Sequence, residues 1–504
     1  MNQSRPLNIV MAASEAVPYA KTGGLADVAG ALPSELAKLG HNVILVLPRY
    51  PSLDDSGRTF RVLERIPMYT SLGASEATIE EDVVSTPGQL PVRVWALRYD
   101  EFFGRSGLYQ AQGKDFDDNL ARFAWFSRGV IEVIRYLHRQ KRWQTDILHL
   151  HDWQTALCAV YLKTLDSARP EVQTIKTVLT LHNVGYQGIF PSEKFWQTGL
   201  PQPLFRQEGL EFYGSVNLLK GGILFADRLT TVSPTYAREI LTPEFGFGLQ
   251  GVLQARREKL QGIINGIDVD VWNPETDPAL PTRYSADKPT GKVQCKRALQ
   301  KEFGLPSEDV PLLAVIARLT SQKGLDLVEE AIPRLMSLGL QLVVLGTGDP
   351  VHESNLAKIR DQFSSRMGLR IGFDEALAHQ IEGGADIFLM PSRYEPCGLS
   401  QLYSLRYGTV PIVTKTGGLV DTVLPLGSDG KNSDTATGFH LLAPTADALV
   451  DAVREAIIAY ARPALWSNMV QRGMKTDVSW ARSARSYEEL FISLLNATDQ
   501  DRGT

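Results

Sequence analysis

The chain has 504 residues, enough for about two to four domains with separate hydrophobic cores. Apolar residues make up 43% and charged residues 22%, and the net charge of −5 gives no general reason to expect nucleic acid or an anionic membrane as a partner. Three widely separated cysteines without CxxC spacing exclude a disulfide framework and a structural zinc site, and favour a reducing compartment. Without a targeting pattern or an apolar stretch near the ~18 residues of a membrane span, we expect a cytoplasmic protein.

Short apolar runs alternate with longer helical patterns along the chain. The runs are nearly continuous instead of strictly alternating, as in strands covered by helices on both faces. The sequence therefore predicts an α/β fold with parallel sheets. The predicted strands span residues 7–12, 41–47, 146–150, 176–181, 311–317, 340–345, 385–390 and 409–413.

The strand series restarts after a polar, proline-rich segment at residues 273–289. Such segments are typical of the region between domains, so we predict a first domain over residues 1–262 and a second over 263–479. A helix is predicted over residues 480–497, and we expect it to pack back on the first domain.

A motif with two consecutive glycines occurs twice in the chain. Lys21-Thr22-Gly23-Gly24-Leu25 follows the first strand and precedes a helical pattern at residues 25–39. Glycines let backbone amides approach a ligand, and a helix amino terminus favours an anion. A tight turn with a solvated lysine explains a single copy equally well. The second copy, Lys415-Thr416-Gly417-Gly418-Leu419, also follows a strand and favours two helix termini that bind one anion.

Histidines follow two of the predicted strands. His149, His151 and Asp152 end one strand, and His182-Asn183 end another. Strand alternation places His149 and His151 on one side and Asp152 on the other. Because no third ligand with metal spacing is evident, we expect no metal and favour a polar lining of a sugar pocket.

Two further clusters lie at strand ends in the second half. Arg318 and Lys323 flank a turn, where two cations can converge on a diphosphate and make it a better leaving group. The segment Glu395-Pro396-Cys397-Gly398-Leu399 combines a carboxylate, which accepts hydrogen bonds from sugar hydroxyls, with amides that donate them.

The motifs, taken in chain order, resemble the signatures of glycogen and starch synthases. They are Lys21 to Val28, His151-Asp152-Trp153, Leu181-His182-Asn183, Asn265-Gly266-Ile267-Asp268, Arg318 to Gly324, and Glu395 to Leu399. The resemblance implies the GT-B architecture, with two Rossmann-like domains and an interdomain cleft. It also implies transfer of glucose from a nucleotide-diphosphate glucose to the non-reducing end of an α-1,4-glucan with retention of configuration. We expect ADP-glucose as the donor, with UDP-glucose as the alternative, and no further cofactor.

The resemblance also implies roles for individual residues. Lys21, Gly23 and Gly24 approach the nucleotide diphosphate and the glucose, and Arg318 and Lys323 stabilise the departing phosphate. Glu395 binds sugar hydroxyls beside Cys397, Gly398 and Leu399. The glucose pocket is lined by Asp152, His182, Asn183 and Asn265, with the carbonyl of His182 near the anomeric carbon. Thr416, Gly417 and Gly418 meet the phosphates from the other side.

Two positions depart from the family pattern. Gln154 stands where many bacterial members have histidine, and Tyr403 stands where the wider GT-B pattern has a second glutamate. Without a carboxylate pair, a double-displacement mechanism lacks its nucleophile. The resemblance implies front-face attack, in which the departing phosphate helps to deprotonate the acceptor.

Three other kinds of protein are alternatives to a glycogen or starch synthase. One is a GT-B enzyme with another donor or acceptor, and one is a catalytically silent glucan-binding protein, which the joint presence of Lys21, Arg318, Lys323 and Glu395 disfavours. An NAD enzyme is disfavoured because no G-x-G-x-x-G follows the first strand.

Overall fold

The computed structural model describes residues 5–141, 143–427 and 431–501. The chain forms two compact units. Unit 1 comprises Met1–Asn265 and Trp480–Thr504, and unit 2 comprises Gly266–Ser479. Within the described part of the chain, no helix is both long and apolar enough to cross a bilayer.

A nine-stranded sheet forms the centre of unit 1, in the order β14-β13-β9-β8-β1-β2-β5-β4-β3. Neighbours from β14 to β5 are parallel, and β4 and β3 extend the sheet antiparallel. Small antiparallel sheets form from β6 and β7, and from β10, β12 and β11. The strands are β1 Asn8–Ala12, β2 Asn42–Pro48, β3 Arg61–Thr70, β4 Gly73–Val84, β5 Val92–Arg98, β6 Gln110–Ala111, β7 Lys114–Asp115, β8 Ile147–His151, β9 Lys176–Leu181, β10 Ile189–Pro191, β11 Glu211–Phe212, β12 Ser215–Asn217, β13 Arg228–Thr231 and β14 Leu260–Gly262.

Helices cover both faces of this sheet, so its central strands are almost completely buried. Short 3-10 helices occur at Pro51–Ser56, Ser192–Thr198, Gln202–Leu204 and Arg257–Lys259. The α-helices before the unit boundary are α1 Gly24–Lys38, α2 Asp100–Phe103, α3 Asn119–Arg139, α4 Asp152–Lys163, α5 Leu218–Phe225, α6 Pro234–Glu239 and α7 Gln250–Ala255.

Unit 2 contains a six-stranded, entirely parallel sheet in the order β17-β16-β15-β18-β19-β20. Apolar clusters fill both faces of it. The strands are β15 Leu312–Ile316, β16 Gln341–Gly346, β17 Met367–Ile371, β18 Ile387–Met390, β19 Val410–Thr414 and β20 Phe439–Leu441. The helices are α8 Gly291–Glu302, α9 Leu325–Met336, α10 Pro350–Gln362, α11 Glu375–Gly384, α12 Ser400–Tyr407, α13 Gly417–Thr422, α14 Ala446–Tyr460 and α15 Pro463–Lys475, with a 3-10 turn at Ser321–Lys323.

The α/β fold and the predicted parallel strands are confirmed, with small shifts at the strand ends. Because every strand from β15 to β20 is parallel, all their carboxyl ends lie at one edge of the sheet. The same holds for β1, β8 and β9 in unit 1. These two edges carry the motifs found in the sequence.

The last helix, α16 Trp480–Asp501, packs within unit 1. Its Tyr487 and Phe491 rings lie 5.2 and 5.6 Å from the ring of His149. Glu488 lies 3.0 Å from Nε2 of His41, and the hydroxyl of Ser483 donates to the carbonyl of Ile264 at 2.5 Å. Apolar and polar contacts together fix this helix on unit 1.

Candidate active site

Lys323 and Glu395 form a partly buried ion pair in unit 2. Nζ of Lys323 lies 2.5 Å from Oε2 of Glu395, which also accepts a hydrogen bond from the hydroxyl of Ser392 at 3.1 Å. The carboxylate is only 7% exposed. A partly buried, charge-assisted pair of this kind fixes the geometry of both side chains.

Gly324 is the reason that Lys323 can lie so close to the Glu395 loop, defined as Pro391–Leu399. Gly324 has φ +72°, and a Cβ atom at this position would lie 2.2 Å from the carbonyl oxygen of Pro391. The amide of Arg393 also donates to the carbonyl of Gln322 at 2.9 Å. The turn after β15 and the loop after β18 are therefore in direct backbone contact.

Arg318 lies on the same edge, two residues after β15, and is exposed. Among the residues that the structure describes, its guanidinium has no hydrogen-bond or ion-pair partner. A guanidinium in this state is available to bind an anion.

The second glycine pair packs on the Glu395 loop. Gly417 has φ +45°, and a Cβ atom there would lie 1.9 Å from the carbonyl oxygen of Glu395. The amide of Gly418 donates to the carbonyl of Pro396 at 3.1 Å, and a Cβ atom on Gly418 would lie 2.4 Å from the carbonyl oxygen of Cys397. The glycines are thus required for close packing of two loops, whereas the side chain of Lys415 is exposed.

Unit 2 therefore brings together most of the residues that the sequence predicted for phosphate and sugar binding. They are Arg318, Lys323, Glu395, Cys397, Gly398, Leu399, Thr416, Gly417 and Gly418, all in loops, a 3-10 turn or the start of α13 at the carboxyl edge of the sheet.

Tyr403, which replaces the second glutamate, has a structural role. Its ring stacks on Trp272 with centroids 3.8 Å apart, and the other face of Trp272 stacks on His379 at 3.8 Å. This aromatic stack fixes residues after the unit boundary on α12. Position 403 therefore contributes a stacked aromatic ring and not a second carboxylate beside the Glu395 loop.

Phe373 was not foreseen in the sequence. It follows β17 at the same edge, and its side chain is 85% exposed. The strand Met367–Ile371 contains Arg370 and only a short apolar run, so the sequence did not reveal that a strand ends here.

In unit 1, Asp152 follows β8 and opens α4 with φ +54°. Its Oδ1 accepts a hydrogen bond from the amide of His182, at the end of β9, at 2.7 Å. Burial raises the pKa of Asp152 to about 8, against the opposing effect of the amides of His182 and Asn183. The side chain is therefore mostly protonated near neutral pH.

The three histidines of these strands form a buried group. Nδ1 of His151 lies 2.9 Å from Nε2 of His182, and Nε2 of His149 lies 2.7 Å from the hydroxyl of Thr180. Burial lowers the pKa of His149 and of His182 to about 3, and that of His151 well below its usual value, so all three are neutral.

The alternation predicted for His149 and His151 is confirmed, because their rings lie on one side, 4.3 Å apart. Their expected place in the lining of a pocket is wrong. Both are completely buried, and His149 faces Tyr487 and Phe491 of α16. The apolar residues of α16 cover this side of the sheet.

The first glycine pair binds an internal anion. The amides of Thr22 and Gly23 donate to Oε2 of Glu15 at 2.5 and 3.3 Å. Lys21 is paired with Asp27 at 2.7 Å. Glu15 is absent from the residues predicted from the sequence, although it follows a strand as Glu395 does.

Two asparagines complete the unit 1 group. Oδ1 of Asn183 accepts the amide of Gly185 at 2.9 Å. Asn265 is 5% exposed, and within the described ranges its Oδ1 has no hydrogen-bond partner. Because a buried carbonyl oxygen without a partner is costly, this atom is suited to a ligand donor.

Two α/β units with parallel sheets and polar loops at the strand carboxyl ends define the GT-B class of glycosyltransferases. The structure is similar to the catalytic domain of starch synthase IV from Arabidopsis thaliana bound to ADP and acarbose, with a TM-score of 0.88 and 35% identity, over 98% of this chain and 100% of that one. Sucrose-phosphate synthase from Thermosynechococcus elongatus shares the fold, with a TM-score of 0.59 and 16% identity over 97% of this chain and 100% of that one.

The sequence of the chain matches two family domains and several curated relatives over nearly its whole length. The starch synthase catalytic domain matches residues 8–255, and the glycosyl transferases group 1 domain matches residues 296–472. Glycogen synthase of Syntrophotalea carbinolica is 45% identical over 96% of this chain and 98% of its own length. Glycogen synthase of Anaeromyxobacter dehalogenans strain 2CP-C is 45% identical over 97% of this chain and 100% of its own length. The chain belongs to the glycogen and starch synthase family and is a glucosyltransferase, which confirms the resemblance seen in its motifs.

Proposed function

We propose that this protein transfers glucose from ADP-glucose to the non-reducing end of an α-1,4-glucan with retention of configuration. The observation that carries the proposal is the Lys323–Glu395 pair, on the sheet edge that also carries Arg318, whose guanidinium has no partner among the described residues. Two cations beside one sugar-binding carboxylate suit a substrate that joins a diphosphate to a hexose.

The roles of the residues follow from their contacts. Lys323 and Arg318 stabilise the charge that develops on the departing phosphate, and Glu395 accepts hydrogen bonds from the transferred glucose. With Lys323 at 2.5 Å, the Glu395 carboxylate is a weak nucleophile. Tyr403 in place of a second carboxylate also disfavours double displacement. We therefore infer front-face attack, with the phosphate as the base.

On unit 1, we propose that Lys21 approaches the donor and that Asp152, His182, Asn183 and Asn265 line the glucose site. Neutral hydrogen-bonding groups suit an uncharged sugar, and Asp152 and His182 are both neutral at pH 7. The unpartnered Oδ1 of Asn265 supplies an acceptor for a sugar hydroxyl.

The proposal of ADP as the donor nucleotide is supported by the similar starch synthase IV catalytic domain, which was solved with ADP and acarbose bound. We further propose that the nucleotide sugar is the only co-substrate and that turnover continues in EDTA. A cytoplasmic location is proposed because Cys158, Cys295 and Cys397 form no disulfide within the described part of the chain.

The test is incubation of the protein with glycogen and either labelled ADP-glucose or labelled UDP-glucose. We expect faster incorporation from ADP-glucose and α-linkages in the product by NMR. Faster incorporation from UDP-glucose would assign the other donor, and β-linkages would exclude retention. Glycogen binding without incorporation from either donor would identify a silent glucan-binding protein and refute the proposal.

A further inference from the structure

The carboxylate of Glu15 lies beneath the first glycine loop, Lys21–Gly24. Oε2 accepts the amides of Thr22 and Gly23 at 2.5 and 3.3 Å, and Oε1 accepts the hydroxyls of Thr22 and Tyr109, each at 2.9 Å. Glu15 itself is only 4% exposed. Four donors from two segments of the chain therefore converge on one buried carboxylate.

This carboxylate binds the two residues that lead into α1. Gly23 is the residue that caps α1, and it has no side chain to accept hydrogen bonds from the first turn. A negative charge at a helix amino terminus is favourable, and the free amides there need an acceptor. Glu15 places a carboxylate just before α1 and accepts the amides of Thr22 and Gly23, the two residues that precede the helix, so the conformation of the loop depends on it.

Tyr109 holds Glu15 from the opposite side and is itself fixed. Its carbonyl oxygen accepts the side-chain amide of Asn119 at 2.9 Å, and its hydroxyl lies 2.6 Å from that of Ser14. The neighbouring carbonyl of Leu108 accepts the guanidinium of Arg122, which is completely buried. The carboxylate is thus bound between a rigid segment and the glycine loop.

Lys21 and Asp152 are the site residues that this arrangement affects. Lys21 directly precedes the two amides bound by Glu15, and it pairs with Asp27 in the first turn of α1. The charge of Glu15 also contributes to the raised pKa of Asp152. Displacement of the loop would move the Lys21 ammonium from its place on the carboxyl edge.

We propose that Glu15 is a positioning residue for glucose transfer, whose carboxylate holds the Lys21–Gly24 loop in the conformation that presents Lys21 to the donor. It acts through Lys21 and does not touch the substrate. This inference rests on the proposed function and identifies a residue that the known motifs do not include.

The test uses chemical rescue. Glu15→Ala leaves the amides of Thr22 and Gly23 and the hydroxyl of Tyr109 facing a space that a small carboxylate fits. We expect kcat with ADP-glucose and glycogen to fall on the order of 100-fold. Formate should restore a large part of it, whereas chloride at the same ionic strength should not. A residue needed only for packing would show no response to formate.

Glu35→Ala is the matched control, because Glu35 lies on the same helix and pairs only locally with Lys38 at 2.5 Å. We expect its kcat to be close to wild type and independent of formate. A folded Glu15→Ala variant that keeps wild-type kcat, or that formate fails to restore, would overturn the inference.

Glu15→Gln decides the question if the alanine variant does not fold. Gln retains the volume but offers one acceptor oxygen in place of two, so we expect a lower kcat and a higher KM for ADP-glucose. A wild-type kcat and KM in this variant would overturn the inference about Glu15 and leave the proposed function standing. Absence of transfer by the wild-type protein would instead refute the proposed function.

Discussion

Nζ of Lys323 and Oε2 of Glu395 lie 2.5 Å apart, although 72 residues separate them in the chain. The contact joins the loops after two neighbouring strands, β15 and β18. In the proposed mechanism the cation has two partners, the carboxylate and the departing phosphate. The contribution of Lys323 to kcat should therefore be measurable separately from its contribution to substrate binding.

Lys323→Ala should lower kcat while leaving glycogen affinity nearly unchanged. Because the ammonium acts on charge that develops in the transition state, the loss should be about 2–4 kcal/mol of activation free energy. Steady-state kinetics with saturating glycogen measure it. Lys358→Ala, an exposed lysine on α10, serves as the control and should behave like wild type. Unchanged turnover in Lys323→Ala would contradict the assigned role.

Gly324→Ala should damage both stability and turnover, and Gly339→Ala provides a matched comparison. Both glycines have left-handed φ, +72° and +76°, so both substitutions incur backbone strain of about 1 kcal/mol. Only at Gly324 would the new Cβ meet a neighbour, the carbonyl oxygen of Pro391 at 2.2 Å.

Urea unfolding should therefore show a loss for Gly324→Ala that exceeds the loss for Gly339→Ala by about 1–3 kcal/mol. Turnover should fall only in the first variant, since only that turn positions Lys323. Equal effects of the two substitutions would show that the backbone contact with Pro391 is unimportant.

Phe373→Ala should weaken nucleotide binding. Phe373 is 85% exposed at the sheet edge that carries Arg318, and an exposed aromatic ring there is suited to stack on a nucleobase. Stacking contributes about 1–3 kcal/mol per base, so calorimetry should show ADP affinity reduced by about 5- to 150-fold. Phe373→Tyr should retain affinity. Leu442→Ala removes a 97% exposed side chain without a ring and is the control. Equal ADP affinities in all variants would exclude stacking.

Asp152→Asn should change the pH dependence of stability. The folded protein holds a proton on Asp152 up to about pH 8, whereas the unfolded chain loses it near the ordinary value of 3.8. The unfolded state therefore binds fewer protons across this window, and stability falls as pH rises from about 4 to 8.

The slope from this one group is at most about 1.4 kcal/mol per pH unit. Asparagine has the same shape and does not titrate, so the variant should lose less stability as pH rises from 4 to 8. Urea unfolding of both proteins at several pH values checks this. Parallel curves would contradict the raised pKa.

By itself, the sequence determined the α/β class, most of the central strands, and the loops that carry the chemistry. Continuous apolar runs depend only on neighbouring residues, and parallel strands necessarily present their carboxyl ends together. It also determined the family, because motifs such as Lys21-Thr22-Gly23-Gly24 and Glu395-Pro396-Cys397-Gly398 are local in the chain.

Only the tertiary structure decided which of these groups are paired. Glu15 takes the amides of the first glycine loop, Tyr403 stacks on Trp272, and burial keeps Asp152 protonated. These features depend on the order of strands in a sheet and on the removal of water from particular atoms. Neither is encoded in a local pattern, since pairing across a sheet joins residues far apart in the chain and burial depends on everything packed around a side chain.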